Sequence, residues 1–193
     1  MTGSSIEDAI RVGICDYGRE LYRAGFIAGT AGNLSVRLDE EYALVTPKGV
    51  HKARLDPTQI VRVPLAGNPG PLLEQAITTE FPLHRACYLA NDLVRAVIHS
   101  HAPALTAAGI RGLNVTKALP DIEAEMGRFE RVKYAPSGSD ELGDAAGDAV
   151  QRGAKVLLLE KHGVVTVGSN LEEAFEAMEL AELAARAVLL AQK

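Results

Sequence analysis

The sequence contains no tryptophan, and aromatic residues make up only 5% of it. Its core therefore has to be built mainly from Ala, Val, Leu and Ile. No run approaches the roughly 18 apolar residues that a membrane span needs, and the N-terminal residues lack the apolar segment of a secretory signal. These absences predict a cytoplasmic protein that does not interact with a membrane.

Cysteine is also scarce, with only Cys15 and Cys87 in the chain. Neither belongs to a CxxC pair, so a disulfide scaffold and a cysteine-based zinc finger are both excluded. We expect two buried free thiols in a reducing compartment.

Positive charge is not in excess, since the formal net charge is −5. A general nucleic-acid binder would show a basic surplus, so no nucleic-acid partner is expected. A local phosphate site is not excluded, because it needs only one or two cations or a few amides.

The length of 193 residues and the hydrophobic fraction of 47% are ordinary for a globular protein. One domain of about 100–200 residues accounts for the whole chain, so residues 1–193 are expected to form a single domain.

Hydrophobic periodicity predicts helices and strands in mixed order. Helices are expected from Ser4 or Ser5 to Gly25 and at 79–91, 102–108, 139–152 and 170–191. Strands are expected at 34–38, 42–46, 59–64, 94–99, 131–134, 155–159 and 164–167. Residues 110–130 are expected to form loops with short strands. Because the early strands are joined by short turns, the pattern favours an α/β fold with an antiparallel or mixed sheet and helices on both faces.

The most informative motif is His99-Ser100-His101, at the end of a predicted buried strand. Residues i and i+2 of a strand point to the same side, so both imidazoles can aim at one point. His162 lies in another predicted turn and is followed by Gly163, which has no side chain to crowd a ligand. Three His ligands with an open position are typical of a catalytic zinc site. An HxH pair alone also occurs in hydrogen-bonded turns.

Glu80 is the second candidate, in the first turn of a predicted helix behind Thr78 and Thr79. It can act as a general acid/base near a metal, or simply as a carboxylate favoured by the helix dipole. His84 follows one helical turn later and is interpreted as a packing or supporting residue rather than a ligand.

Three small polar clusters can bind an anion: Gly32-Asn33, Lys48-Gly49 and Thr78-Thr79. Amides at a helix start with two hydroxyls make a phosphate site, and Lys48 adds a point charge. Each cluster alone is more often only a turn or a cap.

Taken together, these residues resemble the class II aldolase/adducin head family. The matching segments, in this order, are Gly32–Arg37, Val45–Gly49, Thr79-Glu80 through Leu83-His84, Val97–His101 and Lys161–Gly163. Their order and spacing are much more specific than any single segment.

The resemblance implies a three-layer α/β/α fold around a central, mainly antiparallel sheet, and a homotetramer with active sites between subunits. It implies that His99, His101 and His162 bind Zn²⁺ or another divalent cation such as Mn²⁺ or Co²⁺, with Glu80 as the catalytic acid/base. It also places Gly32, Asn33, Lys48, Gly49, Thr78 and Thr79 at the substrate phosphate. The implied activity is a metal-dependent lyase that cleaves a phosphorylated, fuculose-1-phosphate-like ketose by aldol cleavage through a metal-bound enediolate.

The sequence departs from the aldolases of this family at one point. They carry a tyrosine, supplied by a neighbouring subunit, in the segment that here reads Ala118–Asp121. Its absence keeps three alternatives open on the same metal site: a dehydratase, a decarboxylase or an epimerase acting on a sugar phosphate or hydroxy-keto acid. A non-catalytic, adducin-like interaction module is the alternative from another class.

Overall fold

A computed structural model describes residues 3–116 and 119–191, with side chains described from residue 6 onward. The helices are α1 (Gly3–Arg23), α2 (Pro71–Ala76), α3 (Phe81–Ala90), α4 (Pro103–Ile110), α5 (Pro120–Met126), α6 (Asp140–Gln151) and α7 (Leu171–Ala191). The strands are β1 (Asn33–Arg37), β2 (Tyr42–Val45), β3 (Val61–Pro64), β4 (Ala96–Ser100), β5 (Phe129–Val132), β6 (Val156–Leu159) and β7 (Gly163–Gly168). Two short 3-10 helices, Lys52–Arg54 and Pro57–Gln59, separate β2 from β3.

The strands form one seven-stranded sheet in the order β3-β2-β1-β4-β7-β6-β5. Every neighbouring pair is antiparallel except β5 and β6, which are parallel. The three central strands are buried along their whole length. This is the position in which a sheet fixes side-chain directions most firmly, because both neighbours hold the strand in register.

The sheet is covered on both faces. One hydrophobic cluster joins a face of the sheet to α1, α4, α5 and α7, and includes Ile14, Leu105, Met126 and Met178. A second cluster joins the other face to α3 and α6 and includes Tyr88 and Ala146. The three-layer α/β/α fold with a mainly antiparallel sheet is therefore confirmed.

Most elements match the expected positions, and three expectations are wrong. Residues 110–130 contain α5, where loops and short strands were expected; Pro120 occupies its first helical position, and acidic residues favour its first turn. The short helix α2 was not predicted, because six residues are too few to show helical periodicity. The third correction concerns α3. It was expected over 79–91 with Glu80 in its first turn, but it begins at Phe81, and Glu80 is its N-cap residue.

None of the helices in the described ranges is long and apolar enough to cross a lipid bilayer.

Candidate active site

The central strands bring residues that are distant in sequence to the same end of the sheet. Asn33, the first residue of β1, is paired with His99 of β4, and His99 is paired in turn with Val165 of β7. His101 follows β4 directly, and His162 lies in the tight turn between β6 and β7, where Lys161 adopts a φ of 57°. The three histidines therefore come from the end of β4 and from the neighbouring β6–β7 turn, at one end of the sheet.

The three imidazole rings converge. The ring of His99 lies 4.8 Å from those of both His101 and His162, and His101 and His162 are 5.6 Å apart, measured between centroids. One nitrogen from each residue falls within 4.8 Å of the other two. Burial, followed by the charges of His99 and His162, lowers the pKa of His101 to about 4, although Glu80 acts to raise it. Three imidazoles that converge in this way could hold a divalent metal ion.

The surroundings of His99 fit that interpretation. Its Nδ1 is 3.0 Å from the carbonyl oxygen of Val164, which can only accept, so Nδ1 carries the proton. In the neutral ring Nε2 then presents a lone pair, and this buried atom has no hydrogen-bond partner among the described residues. It lies 3.0 Å from Oε2 of Glu80. A cation bound at the site would stabilise this lone pair beside the carboxylate, and a histidine anchored through its other nitrogen is the usual metal ligand.

Two glycines allow this close packing. A Cβ on Gly163 would lie 2.4 Å from the carbonyl oxygen of Ser100 and 2.9 Å from Cδ2 of His101. Gly32 has a φ of +73°, and a Cβ there would lie 2.5 Å from Cγ2 of Ile27. Both glycines are therefore required by space, as the sequence suggested for Gly163.

Glu80 is buried beside the histidines, with 5% of its surface exposed. Its Oε1 is 3.0 Å from Nε2 of His162 and accepts a hydrogen bond from the hydroxyl of Ser137. Burial raises the pKa of Glu80, but the close contacts with His162, His99 and Ser137 outweigh burial and hold that pKa well below its usual range. The carboxylate is therefore ionised and can accept a proton.

A buried chain of hydrogen bonds leads away from Glu80. Nδ2 of Asn33 donates to Oε2 of Glu80 at 3.1 Å, and Oδ1 of Asn33 lies 2.5 Å from Nε2 of His84. Nδ1 of His84 is 2.7 Å from Oγ of Ser35, which lies 2.6 Å from the hydroxyl of Tyr88.

The direction of this chain follows from its ends. The carboxylate of Glu80 only accepts, so the amide of Asn33 turns its nitrogen to it and its oxygen to His84. Burial lowers the pKa of His84 to about 3, so the ring is neutral. It donates through Nε2 and accepts from Ser35 through Nδ1. Both ring nitrogens of His84 are thus engaged, by Asn33 and by Ser35, as suits a residue that packs against or supports the site.

The three polar clusters lie side by side. Pro47 and Ile77 form an isolated antiparallel bridge, and the amide of Lys48 donates to the carbonyl oxygen of Ala76 at 2.9 Å. This bridge brings the Lys48-Gly49 turn next to Thr78 and Thr79. Both turns open towards Gly32 and Asn33 across one cavity.

That cavity has a volume of about 220 Å³. All ten residues expected at the site from the sequence line it: Gly32, Asn33, Lys48, Gly49, Thr78, Thr79, Glu80, His99, His101 and His162. Five further lining residues were not expected there, namely Thr30, Ala31, Pro47, Lys52 and Ser137. Ser137 precedes Ser139, the N-cap residue of α6, and carries no sequence signal for a site residue. Lys52 carries no sequence signal that separates it from a surface lysine.

Comparison with known proteins identifies the class. Residues 12–189 match the family model described as Class II Aldolase and Adducin N-terminal domain. The chain therefore belongs to this family, as the motifs indicated.

The relatives of this chain carry the names of enzymes with different substrates. The chain is 35% identical over 187 residues to the 5-methylthioribulose-1-phosphate/5-deoxyribulose-1-phosphate aldolase of Rhodospirillum rubrum, covering 95% of this chain and 81% of the relative. It is 33% identical over 174 residues to the 3-oxo-tetronate 4-phosphate decarboxylase of Haemophilus influenzae, covering 88% and 81%. It is 30% identical over 162 residues to the L-fuculose phosphate aldolase of Methanococcus maripaludis, covering 84% and 86%.

Solved structures agree with the fold. YgbL from Klebsiella pneumoniae superposes with a TM-score of 0.85 at 30% identity, covering 95% of this chain and 90% of that one. The L-fuculose-1-phosphate aldolase of Thermus thermophilus superposes with a TM-score of 0.82 at 27% identity, covering 93% and 92%.

Proposed function

We propose that this protein is a metal-dependent lyase that cleaves a phosphorylated ketose by aldol cleavage. The observation that carries the proposal is the unpartnered Nε2 of His99, which faces the Glu80 carboxylate at 3.0 Å within a convergent set of three histidines. A catalytic acid/base next to an open three-histidine site is the arrangement that lyases of this kind need.

His99, His101 and His162 would hold the ion, with Zn²⁺, Mn²⁺ or Co²⁺ as the candidates for a nitrogen-rich site. When bound, the ion supplies Lewis acidity to the oxygen atoms of a hydroxy-keto substrate. The proposal takes residues 1–193 as one domain of a homotetramer with active sites between subunits, as the family resemblance implies.

Glu80 moves the proton of the substrate. Its ionised carboxylate accepts a proton from the substrate hydroxyl or carbon as the bond breaks, and returns one to the carbon that is left. Asn33 holds the orientation of that carboxylate through its donor nitrogen. Ser137 donates to the other oxygen and keeps the carboxylate ionised between turnovers.

The opposite side of the cavity binds the phosphate. The amide of Gly49, the hydroxyls of Thr78 and Thr79, and the side chains of Asn33 and Lys48 provide donors for its oxygen atoms. A phosphate fixed there would hold the carbon skeleton over Glu80. In intramolecular reactions, such positioning lowers the activation barrier by about several kcal/mol.

A second reaction, decarboxylation of a hydroxy-keto acid phosphate, uses the same groups. One sequence observation favours it: the segment 118–121 lacks the tyrosine that the aldolases use. Residue 118 lies outside the described residues, and 119–121 contain Leu, Pro and Asp. The 33% identity to a decarboxylase agrees with this alternative. A non-catalytic module is disfavoured, because such a module has no need of three intact histidines beside Glu80.

A product assay separates these functions. The metal-loaded protein is incubated with a panel of ketose 1-phosphates and of 3-oxo acid phosphates, and dihydroxyacetone phosphate and carbon dioxide are measured. Dihydroxyacetone phosphate that is lost with Glu80→Gln supports aldol cleavage, and carbon dioxide supports decarboxylation. If neither product forms and no dehydration or epimerisation is found, the lyase proposal is wrong.

A further inference from the structure

Lys52 is a buried cation whose charge is not balanced by the protein. It begins the short 3-10 helix Lys52–Arg54, and only 2% of its surface is exposed. Lysine is almost never buried to this degree without a partner of opposite charge, because the removal of an ammonium group from water is strongly unfavourable.

The contacts of Lys52 are neutral. Its Nζ donates to the carbonyl oxygen of Thr30 at 2.9 Å and to that of Val50 at 2.8 Å. No ion pair joins it to an Asp or Glu anywhere in residues 6–116 or 119–191. Burial lowers the pKa of Lys52 to about 8, and no carboxylate acts to raise it. Two of the three ammonium protons of Lys52 are thus donated to carbonyl oxygens, and the third has no acceptor among the described residues.

Lys52 also lines the active-site cavity, together with Thr30, to which it is bonded. The other charged or titratable residues that line this cavity are Lys48, Glu80 and the three histidines. The only carboxylate of the set is thus Glu80, which is already engaged by His162, His99 and Ser137. An anion entering at the Thr78-Thr79 side would meet a cation that lacks a counter-ion.

We propose that Lys52 is the counter-ion for the phosphomonoester dianion of the substrate, and that it restricts this site to phosphorylated ligands. The inference rests on the phosphate end of the proposed function. Exposed Lys48 provides a cation that water already solvates, whereas Lys52 gains most from the dianion because its desolvation cost has already been met in folding. Lys52 is therefore the stronger determinant of the two.

Binding of inorganic phosphate to the full-length protein tests this without turnover. Titration calorimetry is carried out on the wild type and on Lys52→Gln, which keeps amide donors for the two carbonyl groups but removes the charge. We expect Lys52→Gln to weaken phosphate binding by about tenfold to a hundredfold, the scale of a charge-assisted hydrogen bond. Lys52→Arg keeps the charge and should restore binding to within a few-fold of wild type.

Lys133→Gln is the matched control, because Lys133 is exposed and does not line the cavity; its affinity should equal that of wild type. A second measurement needs no variant. The pKa of Lys52, followed by NMR of its labelled Cε, should rise when phosphate is added, since a bound dianion favours the ammonium form.

The outcomes separate this inference from the proposed function. Lyase activity with unchanged phosphate affinity in Lys52→Gln would overturn the counter-ion inference alone. Weakened phosphate affinity in a protein without lyase activity would leave it standing and reject the lyase. A wild type that binds no phosphate, or a Lys52 pKa that phosphate does not move, overturns it as well.

Discussion

Nε2 of His84 lies 2.5 Å from Oδ1 of Asn33, and this contact decides which end of the Asn33 amide faces Glu80. If the amide turned over, its oxygen would meet the Glu80 carboxylate and two acceptors would be opposed. His84 is therefore a positioning residue that acts on Glu80 through Asn33.

The first prediction concerns this contact. His84→Leu removes the donor to Asn33 and should lower kcat about tenfold to a hundredfold, the usual cost of losing a supporting hydrogen bond at a metal site. His84→Gln can still donate and should lose less. Steady-state kinetics with the product assay, together with the metal content of each variant, measure the difference. Equal losses in both variants with unchanged metal content would show that His84 only packs the core.

The second prediction is a pH dependence of stability. The pKa of His84 is about 3 in the folded protein, where burial and the charge of His99 lower it, and 6.5 is its ordinary value. As pH falls from 6.5 towards 3, the unfolded chain binds a proton at this residue and the folded chain does not, so stability falls. The slope due to His84 is at most about 1.4 kcal/mol per pH unit.

Denaturant unfolding of wild type and His84→Gln across that range measures this slope. The wild type should lose more stability than the variant as the pH falls. If the two curves stay parallel, the folded protein does not hold His84 in its neutral form.

Part of this site could be predicted from the sequence, because some of its residues lie close together in the chain. His99 and His101 are two residues apart at a strand end, so their spacing indicated a possible metal pair. Glu80 fitted a simple carboxylate at a helix start equally well, and its catalytic role followed from the family resemblance. The mainly antiparallel sheet was predictable from short turns between early strands. Family motifs then gave the order in which these pieces combine.

Other features could not be predicted, because they depend on contacts between distant segments. In the sequence, nothing distinguishes Lys52 from the nearby Arg54. Only the contacts of its ammonium group with the carbonyl oxygens of Thr30 and Val50 show that this group is buried. Ser137 reaches Glu80 across 57 positions in the chain. The helix α5 shows no clear periodicity and forms because Met126 is buried against the core.

The third prediction tests the close approach at Gly163. Gly163→Ala places a Cβ 2.4 Å from the Ser100 carbonyl oxygen and 2.9 Å from His101, so the strands or the histidine must shift. We expect a loss of about 1–3 kcal/mol in the free energy of unfolding, as for other overpacked cores, and weaker metal binding. Gly13→Ala is the matched control.

At Gly13 the nearest atom to an added Cβ is 3.6 Å away, within a helix. That substitution should leave stability unchanged or raise it by up to about 1 kcal/mol. Chemical denaturation and a zinc titration measure both effects. Equal stability and equal zinc affinity in the two variants would show that the space around Gly163 is not as tight as proposed.

The fourth prediction concerns Glu182 of α7, which is 2% exposed. Its carboxylate accepts hydrogen bonds from the amides of Ala104 and Leu105 at 3.1 and 2.8 Å, at the start of α4. Glu182→Ala leaves these amides without partners and should destabilise the protein by about 1–3 kcal/mol. Because α4 starts two residues after His101, the metal affinity should fall as well.

Glu179→Ala is the control on the same helix, because Glu179 is exposed. It should change stability by less than about 0.5 kcal/mol. Thermal or denaturant unfolding of both variants, with a zinc titration of each, compares them. If Glu182→Ala were as stable as Glu179→Ala, the hydrogen bonds from Glu182 to the start of α4 would not stabilise the protein.

A count of the bound metal shows whether His99, His101 and His162 form the metal site of the proposed lyase. Wild type and His101→Ala are saturated with zinc, freed of excess ion by gel filtration and analysed by elemental mass spectrometry. We expect about one ion per chain in the wild type, as in other three-histidine sites, and far less in His101→Ala. A wild type that retains no metal, or an equal metal content in both proteins, would contradict it.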